Sequence, residues 1–386
     1  MKRALLALAV AAVGLTVGAT QIFAFTGPKA ADILVGDGTH TCKGANLTGP
    51  TAIQTAINSA TPGKTIKACA GSYTGPVNVT KSVTLNGVSP LMTTAQCIAP
   101  AANPGKDASK YTVVEGGFNV NAIDNVKISQ FTIQNSTTGG VNTNAATDGL
   151  TLTKNIIQFN VIGVYLNGGP GLKNTSVNGN CIRQNNKSGS ASGNGIYSDQ
   201  GLDSAQINSN SFYNNPSGGI NLPAGSLTDI FVGTNTSEKD SNFVSATGSE
   251  DLVIKGNTVN HALGGAVFLD GDNTHMQIIA NTFQTGDDDG IAIGGPPNDH
   301  VLIYGNTIKN NTTLGIDTNT DGLVDSLISK NTVTSNGDGG IQLLNTGNDG
   351  NFITDNAVTL NNTNADNCVD EGDGNTWYNN NAECAP

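Results

Sequence analysis

The sequence predicts an all-β solenoid built from coils of about 25 residues. Three observations predict it: a fixed repeat, a strand-type alternation inside each repeat, and a composition too thin for a conventional core. Asparagines recur at Asn155, Asn180, Asn210, Asn235, Asn257, Asn281, Asn306, Asn331 and Asn356, and glycines at Gly265, Gly290, Gly315 and Gly340, with most steps 24 or 25 residues long. A period of that length marks a repeat architecture in which each unit buries its apolar face only against the next. The units read Asn257-Thr258-Val259, Asn281-Thr282-Phe283, Asn306-Thr307-Ile308 and Asn331-Thr332-Val333, followed by Gly290-Ile291-Ala292-Ile293, Gly315-Ile316-Asp317 and Gly340-Ile341-Gln342-Leu343. Short apolar-polar alternations are separated by Asn, Asp and Gly, the residues that supply turns and tolerate left-handed backbone angles. With 49 Gly among 386 residues, 5% aromatic and 12% charged residues, the chain suits a lumen filled in narrow apolar layers.

Three short strands and three turns use up one such unit, and successive coils then stack at about 4.8 Å, the spacing of hydrogen-bonded strands. Identical residues one period apart therefore touch. An inward Asn can pass its amide bonds to the Asn above and below, so the recurring asparagines are scaffold.

The chain opens Met1-Lys2-Arg3, continues with an apolar stretch from Ala4 to Ala19, and reaches small residues around Ala24. A basic start, an apolar middle and a cut after Ala19 or Ala24 make residues 1–24 a secretory signal peptide. An uncleaved anchor is the alternative, because the apolar stretch runs on through Ile22 and Phe25. Residues 25–49 form an N-terminal segment, and 50–386 the solenoid with its caps. At its start Thr51-Ala52-Ile53-Gln54 has the pattern of a capping box, and Ile53, Ala56, Ile57 and Ala60 share one helical face before Pro62-Gly63. That N-terminal capping helix plugs the open apolar end, where exposed strands would otherwise pair with other chains. Ser89 to Lys110 reads as a loop inserted in an early coil, and Trp377 as part of a C-terminal plug.

The expected location is secreted, periplasmic or cell-surface, where six cysteines favour disulfides. Cys42 with Cys69 would clip the N-terminal cap, and Cys368 with Cys384 would close the last coil. Cys97 and Cys181 are left over, since joining them requires the loop to fold across several coils. Free thiols are the other possibility for that pair. Net charge is -12, from 18 Lys+Arg against 30 Asp+Glu, with no basic run, so nucleic acid is not an expected partner. No membrane span is expected after signal cleavage, and the protein is expected to be a monomer.

The segment Ala52-Ile53-Gln54-Thr55-Ala56-Ile57 through Gly63-Lys64-Thr65-Ile66 to Gly71-Ser72-Tyr73, the stretch Val83-Thr84-Leu85-Asn86-Gly87, and the Asn-Thr-Ile coils resemble the right-handed parallel β-helix repeat proteins of the pectate-lyase-like superfamily. The likeness covers almost everything after residue 50 and implies a right-handed parallel β-helix. It is weak for function, because that superfamily includes lyases, hydrolases, esterases, epimerases, adhesins and members of no known activity. A remoter likeness is to periplasmic β-helix proteins associated with copper-enzyme maturation.

Each enzymatic possibility must find its chemistry. Uronate lyases of this type use Ca²⁺ and an Arg or Lys base. The mature chain has one arginine, Arg183, which lies three residues after Asn180 and reads as an ordinary outward side chain. Asp288-Asp289-Gly290-Ile291-Ala292-Ile293 is similar to the paired-aspartate segment of polygalacturonase-type hydrolases, in which one carboxyl protonates the leaving oxygen and the other activates water. Here the accompanying Gly-His-Gly and Arg-Ile-Lys segments are missing, and Asp287, Asp288 and Asp289 equally suit a turn. Counting six residues before each ladder Asn lands on Asp229, Asp251, His275, His300 and Asp325, a vertical row if the coils stack in register. Asp270, Asp272, Asp299, Asp317 and Asp321 fall on the same turn side. His275 and His300 flanked by carboxylates suit proton transfer or a divalent metal, while the plain alternative is that Asp or His there only bonds the turn backbone.

Asp317-x-Asn319-x-Asp321-Gly322-x-x-Asp325 follows the order of oxygen ligands in Ca²⁺ loops, with Ile328 where the bidentate Glu would stand. The cofactor expected, if any, is a partial Ca²⁺ site; an Asp/Asn-rich turn is the alternative. The residue two after each recurring Gly is predicted outward, giving a stripe of Tyr165, Tyr197, Asn221, Val267, Ala292, Asp317 and Gln342. Stacked Tyr165 and Tyr197 beside Asn221 suit sugar rings, which have apolar faces and hydroxyl edges. The residues thus point to two classes of function. One is a secreted protein that associates with extracellular polysaccharide, acting as a lyase or glycoside hydrolase if it is an enzyme, with Asp288, Asp289, His275 and His300 as catalytic candidates. The other is a non-catalytic surface adhesin or envelope solenoid.

Overall fold

A computed structural model describes residues 32–89, 91–99, 105–143, 147–166, 174–225, 227–318, 322–361, 367–381 and 384. Within them the chain winds as a parallel β-helix whose three long sheets have 15, 12 and 12 strands. One coil shows the plan: Leu302–Tyr304 lies in the first sheet, Thr307–Lys309 in the second and Leu314–Thr318 in the third. Each strand pairs in parallel with its counterpart one coil away. The predicted period and the all-β class are what the structure shows.

Alternation along each strand sends every second side chain into the lumen. On the first sheet, register aligns Leu152, Val177, Ile207, Val232, Ile254, Ile278, Ile303, Ile328 and Ile353 in one buried column that ends on Trp377. β-Branched residues dominate because they fit a pleated, tightly layered surface.

Each corner is one residue in the left-handed region. Between the first and second sheets it is Lys154, Thr234, Ala280, Gly305 or Lys330; between the second and third, Asn214, Lys239, His261, Thr285 or Asn310. A left-handed non-glycine residue costs about 1–2 kcal/mol, and at the first of these corners hydrogen bonds made by the asparagine after it offset that cost. The Asn257 amide nitrogen donates to Asn281 Oδ1 at 3.0 Å, its backbone N–H reaches the same oxygen at 2.9 Å, and its Nδ2 also donates to the Val232 carbonyl. The pattern repeats from Asn155 and runs out onto Asn380. The recurring glycines have a steric reason: a Cβ at Gly290 would stand 2.3 Å from the Ile308 side chain and 2.6 Å from the Gly315 carbonyl.

The capping helix is Ala52–Ser59, with Ile53, Ala56 and Ile57 buried against the lumen as expected. Its start differs from expectation. Thr51 lies outside the extended conformation of an N-cap and makes no side-chain cap, and the Gln54 side chain, which would complete the box, bonds the Asn78 backbone instead. A capping box forms instead between Thr93 and Gln96, on a one-turn helix, Thr94–Cys97, inside the inserted loop.

That loop decides one open alternative and corrects one expectation. It folds across the second sheet and joins Cys97 to Cys181, so neither is a free thiol. Arg183 does point out of the lumen but is fully buried beneath the loop, donating to the Cys97 carbonyl at 2.8 Å and the Ala99 carbonyl at 3.1 Å over the Tyr213 ring. Coil period places such a side chain outward, yet only an insertion packed on the outside can bury it. Cys42–Cys69 and Cys368–Cys384 pair as expected. Three disulfides fit an extracellular or periplasmic protein, and no described helix is long and apolar enough to cross a membrane.

Candidate functional site

The third sheet carries the outward stripe. Register sets Asn119 beside Asn142, Asn142 beside Tyr165, Tyr165 beside Tyr197 and Tyr197 beside Asn221. Farther along, the row continues through Ser245, Phe268, Ala292, Asp317 and Gln342. Val267 is therefore a correction: it is buried in the lumen, and Phe268 takes the outward place. Gly265 is one residue ahead of its counterparts because Ala266, not glycine, precedes the strand where Gly290 precedes the next one.

Tyr165 and Tyr197 come from adjacent coils, with ring centroids 5.6 Å apart and planes tilted by 46°. Both phenols donate to one carboxylate, Tyr165 to Asp199 Oδ1 at 3.1 Å and Tyr197 to Asp199 Oδ2 at 3.4 Å. Burial, then the bond to Asp199, pushes the Tyr165 phenol up to about 12, and the same causes raise Tyr197. The phenols therefore stay protonated as donors at neutral pH. The rings and Asp199 line a cleft of about 160 Å³ together with Thr137, Thr138, Ile162, Ser190 and Ala191. Ser190 and Ala191 belong to an excursion of the long coil between Asn180 and Asn210. It is tied down by Lys187 N–H to the Asn160 carbonyl, Ser192 Oγ to the Lys187 carbonyl, and Lys187 Nζ to the Asn135 carbonyl. Neighbouring amides are fixed as well, since Asn142 Nδ2 donates to Asn119 Oδ1 and Asn221 Nδ2 to Asn194 Oδ1. Asp199 was missed in the sequence, although it lies two residues after Tyr197.

The Asp/His row does stack. His275 and His300 have ring centroids 5.5 Å apart, and His300 Nδ1 lies 2.7 Å from Asp299 Oδ1. Asp229, Asp251, His275, His300 and Asp325 all have left-handed φ, between 46° and 57°, and share the third corner with Asn125, Asn174, Ser204 and Gly350. Backbone N–H groups of His275 and His300 donate to the Asp299 and Val324 carbonyls of the next coil. Residue choice along this row follows tolerance for the left-handed region, in which Asn, Asp, His and Gly are enriched.

Asp287, Asp288 and Asp289 occupy the opposite end of strand Ile291–Gly294 from His300. Asp289 accepts from the Leu314 N–H at 2.8 Å and from the Thr313 hydroxyl, which also reaches Asp288 at 3.2 Å. Burial pushes the Asp289 carboxyl up against those bonds. The structure thus brings His275 to His300 and Asp288 to Asp289, but not the two pairs to each other, and Tyr197 lies three coils before His275. Of the calcium expectation, Asn319 and Asp321 lie outside the described residues; Asp317 is buried in the outward row and Asp325 forms a corner. Among the described residues no group of three or more His, Cys, Asp or Glu side chains is placed to hold a metal ion.

Residues 230–382 match the family model described as the right handed beta helix region. No curated protein matches the chain by sequence. Among solved structures, the A-module of an Azotobacter vinelandii mannuronan C-5 epimerase superposes with a TM-score of 0.61 at 15% identity, covering 87% of this chain and 94% of that one. The catalytic unit of a GH87 α-1,3-glucanase from Streptomyces thermodiastaticus gives 0.57 at 18% identity, covering 93% and 71%. A DFA-IIIase from Arthrobacter chlorophenolicus, without its lid, gives 0.55 at 14% identity, covering 83% and 94%. At such identities the likeness is one of fold. The described chain thus folds as a right-handed parallel β-helix, with its handedness given by the match over residues 230–382.

Proposed function

We propose that this is an exported protein that binds extracellular polysaccharide on the outer face of its third sheet, at the Tyr165–Tyr197–Asp199 cleft. The observation that carries the proposal is the pair of tilted rings held by one carboxylate in a cleft that Thr137, Thr138 and Ser190 also line. Aromatic faces stack on the C–H faces of a sugar, and convergent polar groups take its hydroxyls. Proteins of this fold named for acting on carbohydrates are among those the chain resembles. Hydrolysis needs two carboxyl groups across the scissile bond, and among the described residues lining the cleft Asp199 is the one carboxylate, so recognition is the activity proposed.

Affinity electrophoresis of the purified protein through gels containing different polysaccharides tests this. Retardation by at least one glycan is expected, with at least a tenfold loss of affinity in Tyr165→Ala combined with Tyr197→Ala and an unchanged melting temperature. Retardation that survives the double substitution would place glycan binding away from the cleft. The non-catalytic envelope solenoid stays as a second possibility, favoured by the left-handed corner that accounts for the Asp/His row without any ligand. Reducing-end and unsaturated-product assays on the same panel separate the two from an enzyme.

A further inference from the structure

We propose that Asp199 sets the specificity of the cleft, admitting neutral, hydroxyl-rich glycans and excluding polyuronates without any need for calcium. The proposal rests on the glycan-binding reading of the same site and adds the class of ligand. Four observations carry it. Asp199 is the one carboxylate among the described lining residues: Thr137, Thr138 and Ser190 offer hydroxyls, and Ile162 and Ala191 are apolar. The phenols of Tyr165 and Tyr197 donate to Asp199, so they do not face a ligand as free anion donors. No Lys or Arg is among the described residues that line the cleft, so none of them offers a uronate carboxylate a cation. The chain as a whole carries a net charge of -12, which adds a repulsive background for a polyanion.

A carboxylate oxygen that has accepted one hydrogen bond keeps a second lone pair. Both Asp199 oxygens therefore remain acceptors, matched to sugar hydroxyls and mismatched to a uronate carboxylate, which would have to approach a like charge over two aromatic rings. At about 160 Å³ the cleft takes a single sugar ring. Asn142 and Asn221 flank the two rings on the neighbouring coils, at the roughly 4.8 Å strand spacing, and extend the polar face in both directions along the stack. The ligand is thus an extended chain laid parallel to the solenoid axis, with one ring seated between the tyrosines.

Isothermal titration of the purified full chain against a neutral set (mixed-linkage β-glucan, soluble α-1,3-glucan oligosaccharides, inulin) and an acidic set (oligomannuronate, oligogalacturonate), in chelator and then in millimolar Ca²⁺, tests the assignment. Binding of a neutral glycan at least tenfold tighter than either uronate, unchanged by chelator, is expected. Asp199→Asn keeps an acceptor for a phenol and removes the charge, so it is expected to narrow the neutral-to-acidic ratio at least fivefold. Circular dichroism confirms that the variant is folded, and Asp203→Asn serves as a control charge deletion outside the cleft. Tight binding of uronates by the unaltered protein, or a ratio that Asp199→Asn and Asp203→Asn shift equally, would overturn the specificity assignment while leaving glycan binding intact. Binding of no member of either set would instead overturn the proposed function itself.

Discussion

Two corners of the solenoid share a backbone and differ in wiring. Between the first and second sheets, the asparagines from Asn155 to Asn380 pass their amide bonds without a break. Between the second and third, the same wiring runs Asn160, Asn185, Asn215 and stops on Asp240; Ala262 and Gly286 take the next two places, and Asn311, Asn336 and Asn361 resume it. Left-handed residues precede both kinds of position, Lys239, His261 and Thr285 at the break just as Asn310 beyond it. The corner geometry therefore does not depend on the ladder. What the ladder supplies is partners for polar groups that the stacking has buried.

At the break that supply is incomplete. The Asp240 carboxyl is wholly buried and accepts from Asn215 N–H and Nδ2, each at 2.8 Å, and from Ser237 Oγ at 2.6 Å. Ser237 itself sits in the lumen column between Phe212 and Val259, where neighbouring coils place apolar residues. A polar pair thus replaces packing in one layer. Burial wins over the three hydrogen bonds and pushes the Asp240 carboxyl up to about 7.

The largest effect is expected from breaking the intact corner. Asn281→Ala removes the acceptor of Asn257 N–H and Nδ2 and the donor to the Ile254 carbonyl, all buried. With each orphaned group costing about 1–3 kcal/mol, a loss on the order of 3 kcal/mol or more is expected. Urea unfolding followed by circular dichroism measures it; a loss under about 1 kcal/mol would mean that the ladder is ornamental.

The broken corner is next, and it titrates. The folded carboxyl of Asp240 holds its proton to about 7 against an ordinary value of 3.8, so between those two values the folded state binds more protons than the unfolded one. Its contribution is fully present below the unfolded value and is lost as pH rises through the folded one, at a cost on the order of a few kcal/mol above it. Asp240→Asn should remove that decline and make the variant the more stable protein at pH 8, while the two run together near pH 3. Parallel stability curves from pH 3 to 8 would assign the pH dependence elsewhere.

The smallest effect is expected at the third corner. His300 sits at φ 54°, a conformation glycine adopts freely. His300→Gly should change the melting temperature little, within about 1 kcal/mol, and leave glycan affinity untouched. A large loss of either would show that the histidine pair does more than occupy a left-handed corner.

Much of the fold was legible because stacking converts sequence period into contact: Asn257 and Asn281 touch for no other reason than being one coil apart. The capping helix was legible through its apolar face, though its cap was not, since the Thr51 backbone and the Gln54 side chain are set by contacts with a strand that the local pattern does not show. Register faltered only at Val267, where a single residue of slack ahead of the strand exchanges inside and outside. The site was half legible. Tyr165 and Tyr197 were found by counting from glycines, whereas Asp199 was hidden because its role depends on reaching phenols of two adjacent coils from just past the strand end.

By itself the sequence determined the repeat, the lumen, the asparagine columns and the outward face, because nearest-neighbour stacking makes each of these a local property copied coil after coil. Only the tertiary structure decided what the insertions do. It packs the loop around Cys97 over Arg183, joins Cys97 to Cys181, and brings Ser190 into the cleft lining beside the tyrosines. These contacts join residues far apart in sequence, with no period to announce them, and they form because the outer faces of the sheets leave polar and apolar surface for an excursion to cover.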